Sequence, residues 1–234
     1  MRIDLFGDDI GAVEYVSHMG SDLSVVNAAR VSFGSEKQAL DEKDEKLIDY
    51  LMSHNHSSPF EHCMLTLKFT VPLFIRSQHH RHRTWAYNEI SRRYTSVDIN
   101  FYEPKEFRRQ HKSNRQASTD DLIDPIVEYN RSGFPVSAGA STLVKGHHIE
   151  SLKLFNSLLE VGVCREQARG VLPQNLYTQY FGTVSLHNLL KFVSLRSHAG
   201  AQWEVQQVAE ACLEIAEENF PKSVQSFIKH KMQK

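Results

Sequence analysis

The chain has 234 residues, with 27 Lys plus Arg against 28 Asp plus Glu and a formal charge of −1. That length supplies one well-buried core and is short for two ordinary domains, so a single domain over residues 1–234 is expected. Near-neutrality argues against a generic nucleic-acid-binding surface, and no apolar run approaches the length that spans a bilayer.

At the N-terminus, Met-Arg-Ile-Asp-Leu-Phe-Gly-Asp-Asp puts acids where a signal peptide needs an apolar run. Cys63, Cys164 and Cys212 are too widely spaced for a disulfide framework or a zinc ribbon, and read as reduced thiols of a cytoplasmic protein. Residues 2–6 alternate polar and apolar, with Ile3 and Leu5 on one face, as in a short edge strand. Helices are expected over 22–32 and 39–54, the second from Leu40, Leu47, Ile48 and Leu51. Pro59 breaks that pattern. Leu65, Leu67, Phe69 and Val71 alternate with Thr66, Lys68 and Thr70, which predicts a strand from Cys63 to Val71.

Pro72 suits the first turn of a helix, expected to run to about Arg83. Residues 104–120 are almost wholly polar and read as a long loop; 130–147 read as irregular. The charges Arg108, Arg109, His111, Lys112 and Arg115 suit either a mobile loop that closes over an anionic ligand or a solvated surface excursion with no role. Leu152, Phe155, Leu158 and Leu159 form a helical core stripe. So do Val205, Val208, Cys212 and Ile215, and then Val224, Phe227 and Ile228. Between them, 176–184 is aromatic and β-branched, a second strand able to pair with 63–71. The expected class is α+β, a small mixed or antiparallel sheet packed against several helices.

Six of the eight residues from Arg76 to Arg83 are Arg or His, flanked by Phe74, Ile75 and Trp85. Arg92 and Arg93 follow, with Asn88, Glu89 and Ser91 close by. Guanidinium forks match phosphate or carboxylate oxygens two at a time, and cations so crowded repel unless an anion sits among them. The segment therefore reads as a phosphate pocket. His54, His56, Glu61 and His62 allow a metal reading, but no HExxH or paired-cysteine spacing supports one. A hydrogen-bonded turn or a ligand wall explains them as well. Arg165 and Arg169 share a helix face that Pro173 terminates. Arg196 ends an apolar helix built on Leu189, Leu190, Phe192 and Val193. There is no G-x-G-x-x-G and no P-loop.

Arg81-His82-Arg83, seven residues, then Ser91 reproduces the Arg-His-Arg-x7-Ser signature, and the chain thereby resembles the flavin-dependent thymidylate synthases. The resemblance spans nearly the whole chain. Ala28-Ala29-Arg30-Val31-Ser32, His56-x-x-Pro59-Phe60-Glu61-His62, Ala168-Arg169-x-x-Leu172-Pro173, and Leu195-Arg196 with Ala201-Gln202-Trp203-Glu204 follow in the family's order.

The resemblance implies dTMP synthesis from dUMP. Methylenetetrahydrofolate would give the one-carbon unit, and FAD, reduced by NADPH, the hydride, with no cysteine nucleophile and no metal. It implies that Gln78, Arg81, Glu89, Ser91, Arg92 (by its backbone), Arg93, Arg169 and Arg196 hold dUMP. Arg196, Ser91 and Arg81 are the catalytic residues it points to. The implied FAD set is Ser32, His56, Ser58, Glu61, Arg81, His82, Arg83, Glu89, His187 and Lys191. Gly200 stands where some relatives carry His, and Ser185 and Lys191 where some carry Asn. The resemblance also implies a homotetramer with active sites between subunits. Readings from other classes are a metal-dependent nucleotide hydrolase using His54, His56 and His62, and an RNA-binding module, against which the near-neutral charge counts.

Overall fold

The structure, a computed structural model, describes residues 1–115, 117–131 and 133–232. In chain order it begins β1 (Arg2–Asp4), β2 (Ala12–Met19), α1 (Asp22–Arg30) and α2 (Glu42–Ser53). Then come β3 (Met64–Pro72), α3 (Leu73–His79) and β4 (Ala86–Glu89). Four further strands follow: β5 (Phe107–Gln110), β6 (Ser118–Ile123), β7 (Ile126–Arg131) and β8 (Phe134–Gly139). The remainder is α4 (Ala140–Glu160), α5 (Arg165–Ala168), β9 (Tyr177–Ser185), α6 (Leu186–Arg196), α7 (Trp203–Asn219) and α8 (Pro221–Phe227). The class is α+β.

Two compact units divide these elements: Met1–Val71, Ile75–Glu89 and Gln179–Lys234 form the first, Pro72–Phe74 and Ile90–Thr178 the second. In the first, a five-stranded sheet runs β1-β2-β3-β9-β4, with the short β1 at its edge. Strand β9 is the second strand expected near 176–184, and it does neighbour β3. The alternation in β3 is real: Leu65, Leu67, Phe69 and Val71 are fully buried. Val205, Val208, Cys212 and Ile215 of α7 and Phe192 of α6 complete this core. Gly182 in β9 is required by close approach, because a Cβ there would lie 2.9 Å from Phe69 and 3.0 Å from Trp85.

The second unit corrects three expectations. Residues 104–120 are not one long loop: β5 pairs antiparallel with β6, Phe107 facing Ile123. Residues 130–147 are not irregular: β7 and β8 form a second hairpin, and α4 already begins at Ala140. Both hairpins expose most of their side chains, so neither needed the apolar alternation that marks a half-buried strand. Backbone pairing and polar contacts hold the first, including Arg108 Nε to Ser118 Oγ at 3.2 Å and Gln110 Nε2 to the Ala117 carbonyl at 3.0 Å. In α4 only Phe155 of the expected stripe is fully buried; Leu152, Leu158 and Leu159 are half-buried.

A fourth correction concerns the helix expected from Pro72 to Arg83. Pro72 closes β3, and α3 stops at His79. The second helix also starts later than the spacing suggested, because Asp41 caps it through the Lys43 and Asp44 amides at 2.8 and 3.0 Å. Leu40 is left outside.

Asp44, fully buried in α2, joins that helix to α1. It accepts from Arg30 Nη2 at 2.6 Å, Lys37 Nζ at 2.8 Å and the Asp41 amide at 3.1 Å. Burial pushes its carboxyl up, but the Lys37 and Arg30 hydrogen bonds outweigh burial and bring it from 3.8 to about 2. A carboxylate depressed in this way stabilises the fold above its ordinary pKa and loses that contribution as pH falls toward the folded value. Urea unfolding between pH 7 and pH 2 should therefore show a declining midpoint through this window. Asp44→Asn should be less stable at neutral pH and decline less steeply in acid.

Candidate active site

In the first unit, His79 closes α3 inside an aromatic enclosure. Phe69, Trp85, Tyr180 and Phe192 surround it, at ring-centroid separations of 4.7, 4.6, 5.8 and 4.7 Å. Its Nδ1 and the Tyr180 hydroxyl are hydrogen-bonded at 2.8 Å, whereas Nε2 has no partner among the described residues. Burial above all, then the neighbouring His82, His80 and Arg196, holds the ring well below the ordinary imidazole range. It is neutral. His80 stacks on Tyr87 at 3.9 Å, and burial followed by Arg76 lowers its pKa too.

The Tyr87 hydroxyl reaches the carbonyls of His79 and His82 at 3.0 and 3.2 Å and fixes the turn after α3. That turn leaves Arg81 and Arg83 exposed and His82 half-buried. Arg196, the last residue of α6, donates from Nε to His82 Nε2 at 3.0 Å. An imidazole nitrogen that accepts carries no proton, so His82 is neutral with its proton on Nδ1. Burial first, then Arg196 and Lys191, pushes its pKa down to about 4.

Glu89 on β4 pairs with Arg76, which donates from Nε at 2.9 Å and again from Nη2. Sequence reasoning counted Arg76 in the basic run without giving it this role. Gln78 donates to the Gln202 side-chain oxygen, and Gln202 Nε2 donates to Glu204 at 2.9 Å. Glu204 is buried, so the Ala201–Glu204 motif anchors Gln78 from behind.

A cavity of about 640 Å³ opens beside these elements. Its floor is apolar, from Leu51, Met52, Phe60, Leu190 and Phe227. Its polar wall includes His56, His187, Lys191, His230 and Lys231, and among the described residues none of the lining is acidic. The sequence reading missed His230 and Lys231, because a basic C-terminus looks like an ordinary solvated end. Of the other residues expected at a flavin, Ser58 and Glu61 are exposed on a short turn (Ser58–His62), and Ser32 is exposed with its hydroxyl on the Ala29 carbonyl at 3.1 Å. Ser185 caps α6, accepting from the Asn188 amide and side chain at 3.4 and 3.0 Å. His54 lies against Tyr50 at 4.1 Å. No group of three or more His, Cys, Asp or Glu among the described residues is arranged to hold a metal ion.

In the second unit, Ser91 Oγ accepts from the Arg93 amide at 3.3 Å. The Arg92 guanidinium turns inward onto the carbonyls of Val97, Asp98 (3.1 Å) and Tyr177 (3.3 Å). Its side chain is thus committed to the fold, and only its backbone is left for a ligand. Arg93 is exposed, bonded to the Tyr94 hydroxyl at 2.7 Å with its guanidinium 5.2 Å from that ring's centroid. Arg169 is also exposed, Nε reaching the Glu166 carbonyl at 3.3 Å. Cys63 and Cys212 are poor nucleophiles: burial, then Asp22, pushes Cys63 up to about 11, and burial raises Cys212 further, while Cys164 is exposed.

The family described as thymidylate synthase complementing protein matches residues 14–222. A flavin-dependent thymidylate synthase of Thermus thermophilus is 44% identical over 224 residues, 95% of this chain and 77% of the relative. One of Thermotoga neapolitana is 41% identical over 95% of this chain and 93% of its own length. The chain belongs to the flavin-dependent thymidylate synthase family. Its fold agrees with a crystal structure of a UMP/dUMP methylase, PolB, from Streptomyces cacaoi bound with 5-Br dUMP, at a TM-score of 0.79, 31% identity and 98% coverage of both chains. The family match ends before the basic C-terminal π-helical turn Ile228–Met232, whose His230 and Lys231 line the cavity.

For this family member, nitrogen-detected titration of the histidines should find His82 neutral down to about pH 4. Arg196→Met should raise that midpoint, yet leave it below the ordinary 6.5, because burial persists. A parent His82 titrating near 6.5 would contradict the geometry.

Proposed function

We propose that the chain makes dTMP from dUMP, taking its one-carbon unit from methylenetetrahydrofolate and its hydride from FAD that NADPH reduces. The observation that carries this reading is the Arg196–His82 hydrogen bond. It joins two residues 114 positions apart whose motifs the resemblance assigns to one active site.

On this reading Gln78, Arg81, Glu89, Ser91, Arg92, Arg93, Arg169 and Arg196 serve dUMP. Exposed Arg93 and Arg169 suit the phosphate, and the inward Arg92 side chain suits a backbone contact there. Arg196 is pinned through Nε, which keeps its two Nη groups oriented for a pyrimidine carbonyl that gains negative charge as the ring reacts. Donors fixed in advance stabilise such charge without reorganising. Neutral His82 is what allows this, since a protonated ring would repel the guanidinium. Gln78, steadied by Gln202, presents its amide to the base, while Ser91 and Arg81 complete the catalytic set.

The cavity fits FAD by the chemistry of its walls: an apolar floor for a flat ring and a cationic rim for a diphosphate. Its volume lies within the ordinary range for small-ligand sites. His56, His187 and Lys191 would hold the cofactor from the cavity wall, with Ser32, Ser58, Glu61, Arg81, His82, Arg83 and Glu89 beside it. Bound FAD supplies the hydride that completes the methyl group. A homotetramer with shared sites agrees with the exposure of so many of these side chains. Free thiols agree with a cytoplasmic location.

Purified protein should be yellow, bleach with NADPH, and convert dUMP but not dCMP in the presence of methylenetetrahydrofolate. Protein that takes up no flavin after FAD is added, or forms no dTMP, would refute the assignment.

Replacing Cys63, Cys164 and Cys212 together by Ala or Ser should leave dTMP formation within about tenfold of the parent, since loss of a covalent nucleophile typically costs many powers of ten. A folded, flavin-loaded triple variant without activity would restore a cysteine to the mechanism.

A further inference from the structure

We propose that the C-terminal turn Ile228–Met232 is a recognition element of the cavity, with Lys231 binding the diphosphate of the dinucleotide. This rests on the flavin reading above and adds to it a residue that lies beyond the family match at 14–222.

The turn is built into the wall. Lys229 Nζ meets both oxygens of Asp49 at 3.1 Å, and His230 Nε2 is 2.9 Å from Asp49 Oδ1. These contacts dock it on α2. Lys231 is then held by Asn55 Oδ1 at 2.8 Å, just past the end of that helix, where Asn55 adopts a left-handed φ of 60°.

The two lysines end in different electrostatic states. Asp49 neutralises Lys229, whereas among the described residues Lys231 is bonded only to an amide oxygen, which orients its ammonium without cancelling the charge. Lys231 and Lys191 thus bring two positive charges to a cavity whose lining, among the described residues, includes no carboxylate. Cations collected around an apolar floor attract an anion attached to a ring system, and a diphosphate supplies enough oxygens for both. Asn55 and Asp49 are then positioning residues, acting through the turn.

The test uses Lys231→Ala, with Lys231→Gln as a second neutral variant and Lys231→Arg as the conservative control. FAD affinity is read from quenching of flavin fluorescence, and affinity for inorganic pyrophosphate from calorimetry, on proteins with matching thermal melts. Both neutral variants should bind each probe about tenfold more weakly, the usual scale for one charge-assisted contact. Lys231→Arg should stay within about threefold of the parent, since it keeps the charge. Added salt should weaken the parent more than the neutral variants. Unchanged affinity of the neutral variants for both probes overturns the proposal. A parent that binds pyrophosphate in a Lys231-dependent way but takes no FAD would leave the anion site standing and refute the flavin reading instead.

Discussion

The enclosure of His79 is the constraint on which the first unit's chemistry depends. Four aromatic rings exclude water from an imidazole whose one hydrogen bond among the described residues goes to Tyr180. A charged ring there would lose its hydration with nothing to replace it, so the histidine is neutral and behaves as core. Fixing His79 inside fixes where α3 ends. The next residues then turn outward under the Tyr87 hydroxyl, which sets the directions of Arg81, His82 and Arg83. Gly182 belongs to the same constraint, because any larger residue would push Phe69 and Trp85 apart.

Within each unit the cations are sorted by partner. Arg76 is matched by Glu89, and Arg30 and Lys37 by Asp44. Arg196 rests on a neutral imidazole, which directs the guanidinium without neutralising it. In the second unit Arg92 is spent on backbone carbonyls, while Arg93 and Arg169 face outward. Formal charge near zero and a site rich in usable positive charge are therefore compatible. On the proposed reading, the charges left over, those without a carboxylate partner among the described residues, are the ones that serve phosphates.

Packing takes two of the three thiols away from reactivity. Cys63 and Cys212 occupy core positions where a thiolate would be desolvated, and burial moves both away from reactivity. On the reading proposed above, activation of the pyrimidine falls to hydrogen-bond donors and charge, which Arg196, oriented by His82, offers.

The sequence by itself determined the class, the central strands and the family. Period-two alternation in β3 and period-3.6 stripes in α6 and α7 are written into the order of side chains wherever one face is buried. The ordered motifs were legible because they are local strings of unusual residue types. It did not reveal the β5–β6 and β7–β8 hairpins, whose exposed faces leave no hydrophobic period to read. Nor did it reveal the early end of α3, since a run of Arg and His gives no hint that one imidazole will be sealed in aromatics. Only the tertiary structure decided that Arg76 belongs to Glu89, that His82 holds Arg196, and that the C-terminal turn reaches the cavity. The reason is common to all three: each joins residues distant along the chain, or chooses one partner among several equally charged neighbours. Such pairings are set by which backbone elements pack together, and local spacing carries no record of them.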